Sequence, residues 1–310
     1  MSFSSCCKKS SIILMEGALG ERLKREYGFK INDTVGLADI IYRLNGKEAL
    51  EFLWKEYIEC AKQNELPFIA TTPTRRANKE RVVEAGYNKD ILVDNINFLK
   101  SVKHSCNIEM YIGGLMGCKG DAYKATEILQ RDVAKEFHAW QAQIFADSKV
   151  DFLYAGIMPA LEEAIGMAWA LQQTNIPYII SFMINGNGCL VDGTTIHDAI
   201  SAIDSSTSKQ PLLYMANCIH PTILYKALSH KYNQTDLVKK RFGGLQANTS
   251  ALSPDELDNS VELRCSDCDE LAQSMLALDK LIKLKIVGGC CGTDATHLSS
   301  IAKTFKSHYL

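Results

Sequence analysis

Eleven cysteines run through this 310-residue chain, and three of them are spaced so that their chemistry could be shared. Cys290 and Cys291 are adjacent in Gly288-Gly289-Cys290-Cys291-Gly292-Thr293, and Cys218 stands in Ala216-Asn217-Cys218-Ile219-His220-Pro221. Neighbouring cysteines do not close an ordinary unstrained disulfide. Both can reach one metal ion where a strand ends in a turn, and the glycines around them give the backbone that freedom. A catalytic zinc site keeps three protein ligands and one open position, which three thiolates would satisfy. Free cysteine is also a common buried hydrophobe, so on the pair alone packing remains the rival reading. The odd count excludes complete intrachain pairing. The apolar run 12–15 is too short for a signal segment, so a reducing cytoplasm is expected.

Distant thiols meet only if the fold brings them together. Short β-type runs occur at 12–17, 68–73, 110–114, 151–156, 178–183, 212–218, 243–248 and 286–291. Several are continuously apolar, as strands buried on both faces of a parallel sheet are. Helical spacing of apolar residues marks 49–64, 125–146, 161–173, 196–203, 221–229 and 268–284 between them. This alternation predicts an α/β fold of the (β/α)8 TIM-barrel type. No linker rich in Pro, Gly or Ser divides the chain. The organisation expected is a flexible N-terminal tail over 1–11 and one barrel over 12–310. Active sites of such barrels form at the C-terminal strand ends. Those ends carry Glu16-Gly17, Thr71-Thr72, Gly113-Gly114, Asn217-Cys218, Asn248 and Cys290-Cys291. Strands six and eight flank strand seven, so Cys218 and the cysteine pair share one mouth, which favours the metal reading.

Composition narrows the function. Lys and Arg total 34 against 36 Asp and Glu, giving no basic stripe for nucleic acid. The 46% hydrophobic and 23% charged shares exclude global disorder. The longest apolar stretch, 178–184, is too short to span a bilayer. No Gly-x-Gly-x-x-Gly nucleotide loop is found. The partners expected are small molecules, with neither nucleic acid nor membrane; a homo-oligomer is compatible, without a long C-terminal assembly arm.

At these residues the chain resembles the homocysteine S-methyltransferase family of zinc-dependent barrels. Gly288-Gly289-Cys290-Cys291-Gly292-Thr293 is the family's terminal signature, and Asn217-Cys218 with nearby Pro221 resembles its Asn-Cys turn. Met15-Glu16-Gly17-Ala18-Leu19-Gly20 resembles its opening loop, and Phe68-Ile69-Ala70-Thr71-Thr72 its second-strand threonines. Asp151-Phe152-Leu153, Pro159-Ala160-Leu161-Glu162-Glu163-Ala164 and Asp192-Gly193-Thr194 also fit. The resemblance implies Zn2+ held by Cys218, Cys290 and Cys291, with the homocysteine sulfur in the fourth position. It implies methyl transfer from a sulfonium or similar donor to that thiolate, giving methionine. Substrate contacts would come from Glu16, Gly17, Thr71, Thr72, Asn217 and Asn248.

Some positions depart from the family pattern. Glu16 stands where Asp is usual, and Gly156 stands where strand four usually ends in a glutamate that helps hold the homocysteine ammonium. Glu162 and Glu163 are the candidate stand-ins, though they fall on the next helix. Pro73 replaces a common Asn, and Gly114-Leu115-Met116-Gly117-Cys118 lacks the usual Ser and Pro. Two alternatives follow: methyl transfer to a different small thiol, and a barrel that binds zinc or a thiol without turnover. Other residues read blandly. Cys265 and Cys268 are taken as surface or helix-start cysteines, and Cys6 and Cys7 as part of the tail. His220 reads as a supporting loop residue, and His197 and His297 as structural. Lys8-Lys9 and Arg75-Arg76 read as solvated charge, and Trp54, Trp140 and Trp169 as outer-layer packing.

Overall fold

The computed structural model describes residues 1–250 and 267–309. Its strands are β1 (Ile13–Met15), β2 (Phe68–Thr71), β3 (Met110–Met116), β4 (Phe152–Met158), β5 (Tyr178–Phe182), β6 (Tyr214–Ile219), β7 (Phe242–Ala247) and β8 (Ile286–Gly289). They form a closed parallel barrel in sequence order, with β1 joined to β8 through Ile13↔Ile286 and Leu14↔Val287. The described helices are α1 (Phe3–Lys9), α2 (Gly20–Tyr27), α3 (Gly46–Gln63), α4 (Lys79–Glu84), α5 (Asp90–Ser105), α6 (Arg131–Asp147), α7 (Leu161–Gln172), α8 (Ile196–Ser206), α9 (Pro221–Ser229), α10 (Asp236–Arg241), α11 (Cys268–Leu281) and α12 (Ala295–Tyr309). The (β/α)8 barrel predicted from the alternation is the fold observed. Among the described residues no helix is long and apolar enough to cross a membrane.

Burial on both faces explains the unbroken apolar runs. Ile13, Met15, Ile69, Phe152, Ile179 and Met215 fill the barrel interior. Their neighbours Leu14, Phe68, Ala70, Leu153, Ile180 and Ala216 belong to the separate core between barrel and helices. α3 lays Leu50, Leu53, Trp54, Tyr57 and Ile58 against that layer at helical spacing. α9 opens with Pro221 at its first turn, where the missing N–H costs nothing, and His220 caps it.

Four expectations differ from the structure. Residues 1–11 were expected as a tail, but 3–9 form α1, capped by Ser2. Phe3 stacks on Phe152 with ring centroids 4.2 Å apart, and Cys6 is fully buried, so the apolar end of the barrel gives the segment a place to pack. Gly113 and Gly114 are mid-strand rather than at a strand end. A Cβ at Gly113 would meet the Phe152 ring at 2.5 Å and one at Gly114 the Phe145 ring at 2.6 Å, so these glycines let two rings close on β3. α6 starts at Arg131, not 125, because Ala125 and Glu127 take left-handed φ values of 48° and 56°. α5 escapes the periodicity because Asn95 lies on its buried face, where its amide nitrogen donates to the Ala38 and Ile91 carbonyls at 2.8 and 2.7 Å.

Candidate metal and thiol site

At the C-terminal mouth a bulge delivers the first thiol. The β6–β7 register slips between Asn217 and Ile219, and Cys218 has φ +58°. An ordinary strand would send Asn217 and Cys218 to opposite faces. The extra residue lets both line the same pocket. Such a left-handed, non-glycine residue is strained and persists only where its surroundings fix it. The other two thiols come from the turn after β8. Cys290 N–H donates to the Ala247 carbonyl at 2.7 Å, and Cys291 N–H to Asn248 Oδ1 at 3.2 Å. Gly292 has φ +82°, and a Cβ there would sit 2.0 Å from Thr249 Oγ1, so the turn requires glycine.

The three sulfurs lie within 4.8 Å of one another, and Cys218 Sγ is 2.6 Å from Cys290 Sγ. Sulfurs that share one tetrahedral zinc at about 2.3 Å stand about 3.8 Å apart, so the three are close enough to converge on a common ion, with the Cys218–Cys290 pair drawn together more tightly than ligation requires. The cluster is also electrostatically distinct. Hydrogen bonds from Cys290 and then Cys291 hold the Cys218 thiol well below its ordinary pKa, despite its burial. Cys290 and Cys291 are pushed up in turn, chiefly by sharing protons with Cys218. A soft set of three sulfurs, one of them already biased towards the thiolate, fits a thiophilic metal. It is the one grouping of three or more metal-ligating side chains found among the described residues.

The pocket beside the thiols has a volume of about 330 Å³. Glu16, Gly17, Thr71, Thr72 and Asn217 line it together with the three cysteines, as the sequence suggested. Asn248 sits behind the thiols, holding the Cys291 turn. Glu16 Oε1 accepts from Thr71 N–H at 2.8 Å and from the Thr71 hydroxyl at 2.5 Å. Trp54 donates its indole N–H to Oε2 at 2.6 Å. Burial pushes Glu16 up to about 7, against the lowering effect of those bonds from Thr71 and Trp54. Trp54 packs in the outer layer, as read, and from there also holds the Glu16 carboxylate; its need for an indole partner once buried was the signal available in the sequence. At the base of the pocket Tyr154 donates to Gln246 Oε1 at 3.0 Å.

Neither candidate stand-in for the absent strand-four carboxylate reaches the pocket. Glu163 is buried between His138 Nε2, at 3.0 Å, and the Lys119 N–H, at 2.7 Å. Glu162 pairs with Arg131 on the outside. Gly156 lies inside β4, where a Cβ would meet the Tyr154 ring at 3.1 Å. His220 directs Nδ1 to the Thr222 hydroxyl at 2.8 Å, as a helix cap. Cys268 begins α11; Cys265 lies outside the described residues. Arg75, read as solvated charge, is half-buried and lines the pocket, whereas Arg76 is exposed and donates to the Asp33 carbonyl at 2.8 Å.

An eight-stranded barrel with a three-cysteine mouth has close counterparts. The sequence profile of the homocysteine S-methyltransferase family matches residues 13–305, and the chain belongs to that family of methyltransferases. It is 25% identical over 282 residues to betaine–homocysteine S-methyltransferase 1 of Rattus norvegicus. That match covers 83% of this chain and 64% of the relative, so the chain spans less than two thirds of that protein. Among solved structures, the metallated form of the homocysteine methyltransferase MmuM from Escherichia coli superposes with a TM-score of 0.75 at 17% identity. The superposition covers 96% of this chain and 98% of that one. The oxidized form of MmuM gives 0.75 at 18%, over 96% and 97%. At these identities the structural likeness speaks for the shared barrel.

Proposed function

We propose that the chain is a zinc-dependent S-methyltransferase that moves a methyl group from a sulfonium or similar donor to the homocysteine thiolate, giving methionine. The observation that carries this reading is the convergence of Cys218, Cys290 and Cys291 on one pocket in a chain of this family. Zinc held by these thiolates would bind the acceptor sulfur and lower its pKa, so that a thiolate is present at neutral pH. The acceptor's proton leaves to solvent, its sulfur bonds the methyl carbon, and the donor C–S bond breaks with its electron pair returning to the donor sulfur. The chain's own contribution is placement and exclusion of water. Glu16 offers a carboxylate to the acceptor ammonium once ionised, and Thr71 fixes its orientation. The Tyr154–Gln246 pair closes the base of the pocket.

The thiols suit a reducing compartment, and we take the cytoplasm as the place of action. Zinc content of protein purified under reducing conditions, together with methionine formation over a panel of methyl donors, tests the reading. About one zinc per chain and methionine from at least one donor are expected. Absence of zinc, or of methionine with every donor, overturns it. A second reading, a different small thiol as acceptor, draws support from Gly156 and from the engagement of Glu162 and Glu163 elsewhere.

A further inference from the structure

Arg75 has no counterpart in the chemistry so far. Arg22, Arg43, Arg131 and Arg241 each reach a carboxylate: Glu56, Asp39, Glu162 and Asp204. Among the described residues no carboxylate lies within ion-pair reach of the Arg75 guanidinium. It shares the pocket with Tyr123, Cys218 and Cys290, and a smaller cavity with Cys118. A half-buried guanidinium with five donors and no carboxylate partner has hydrogen-bonding capacity to offer a ligand. It lies in a pocket wide enough for a small molecule, beside the thiols where an acceptor sulfur would sit.

The local packing shows how it gets there. A Cβ on Gly117 would stand 2.8 Å from Arg75 Cγ and 3.5 Å from the Gly156 carbonyl oxygen. The arginine stem thus crosses Gly117 next to the end of β4, the sector from which a side chain at 156 would enter. Gly156 brings no carboxylate there, and the Arg75 stem lies alongside. On the β1 side, both oxygens of Glu16 already accept hydrogen bonds from Thr71 and Trp54. The Arg75 side of the pocket, beside the thiols, is therefore the sector able to accept an anion.

We propose that Arg75 anchors a carboxylate carried by a small molecule in this pocket, by charge-assisted, forked hydrogen bonds. The molecule is either the acceptor thiol or the methyl donor. The proposal rests on the thiol-methylation reading only in taking these as the pocket's ligands.

Calorimetric titration of the zinc-loaded protein with matched probes separates the two sources. The acceptor pair is 3-mercaptopropionate and 1-propanethiol; the donor pair is 3-dimethylsulfoniopropionate and trimethylsulfonium. One member of each pair should bind about tenfold or more tightly because it carries the carboxylate. That preference should fall to within about twofold in Arg75→Gln and recover in part in Arg75→Lys, with zinc content unchanged in both. Preference in the first pair assigns the carboxylate to the acceptor, and in the second to the donor. No preference in either pair, or one that survives Arg75→Gln, overturns the proposal. If the preference stands but no donor yields a methylated thiol, the methyltransferase reading fails while the anion site holds. If methyl transfer proceeds without any preference, the reverse is true.

Discussion

Cysteines gather at both ends of this barrel, and the two groups have opposite chemistry. At the N-terminal end Cys6 is buried in the apolar cluster that contains Phe3 and Phe152, and burial raises its pKa. Cys7 beside it is pushed up to about 12 by burial and then by Cys6. At the C-terminal mouth Cys218 is also buried, yet it is held well below the ordinary thiol value because Cys290 and Cys291 donate to it. Burial alone makes a thiol inert; burial with converging donors makes it a ligand. The supporting backbone follows the same division. The closed end is held by a short capped helix and ring stacking, and the mouth by a left-handed cysteine and a turn that needs Gly292.

The sharpest way to break this contrast is to exchange serine for cysteine at each end. Cys290→Ser should lower metal affinity by more than about 100-fold and remove methyl transfer, measured by zinc content and product formation. Cys6→Ser should leave zinc content unchanged. Phe3→Ala should do the converse, costing about 3–5 kcal/mol in urea unfolding while the metal site is retained. Between these extremes lies Trp54→Phe. It removes a hydrogen bond from the buried Glu16 carboxylate, and should cost about 1–3 kcal/mol and raise the homocysteine KM.

The smallest effect concerns pH. Burial pushes Glu16 up to about 7, so on the proposed reading homocysteine affinity should fall roughly tenfold from about pH 8 to 6, as the carboxylate offered to the ammonium takes up a proton. Glu16→Gln should flatten that profile. The sign for stability is opposite. The folded-state pKa lies above the ordinary carboxylate value, so the folded protein keeps the proton longer. The stabilisation from neutral Glu16 is complete below that ordinary value and is lost as pH rises through about 7. Urea midpoints between about pH 5 and 8 should decline in the wild type and less so in Glu16→Gln.

Strand positions were legible because burial on both faces writes continuous apolar runs, and the meeting of three cysteines because Gly-Gly-Cys-Cys-Gly-Thr and Asn-Cys are local strings at strand ends. The hold of Trp54 on Glu16 was not legible, since that partner is 38 residues away and the helical position reads as packing alone. Arg75 was hidden likewise: next to the exposed Arg76, it reads as surface charge until Gly117 is seen to admit its stem. The N-terminal helix was missed because a polar segment with one phenylalanine has no periodicity, and only the open end of the barrel explains why Phe3 is buried. In each case the deciding partner is remote in sequence.

The Phe3 plug has a consequence for molecular traffic. With the N-terminal end sealed by Phe3 and the interior filled up to Tyr154, the pocket opens, among the described residues, at the C-terminal mouth. In the proposed methyl transfer, two reactants that meet above the thiols would use the same passage, and so would two products. Whichever product lies nearer the mouth has to depart before the deeper one is free, so turnover becomes a queue.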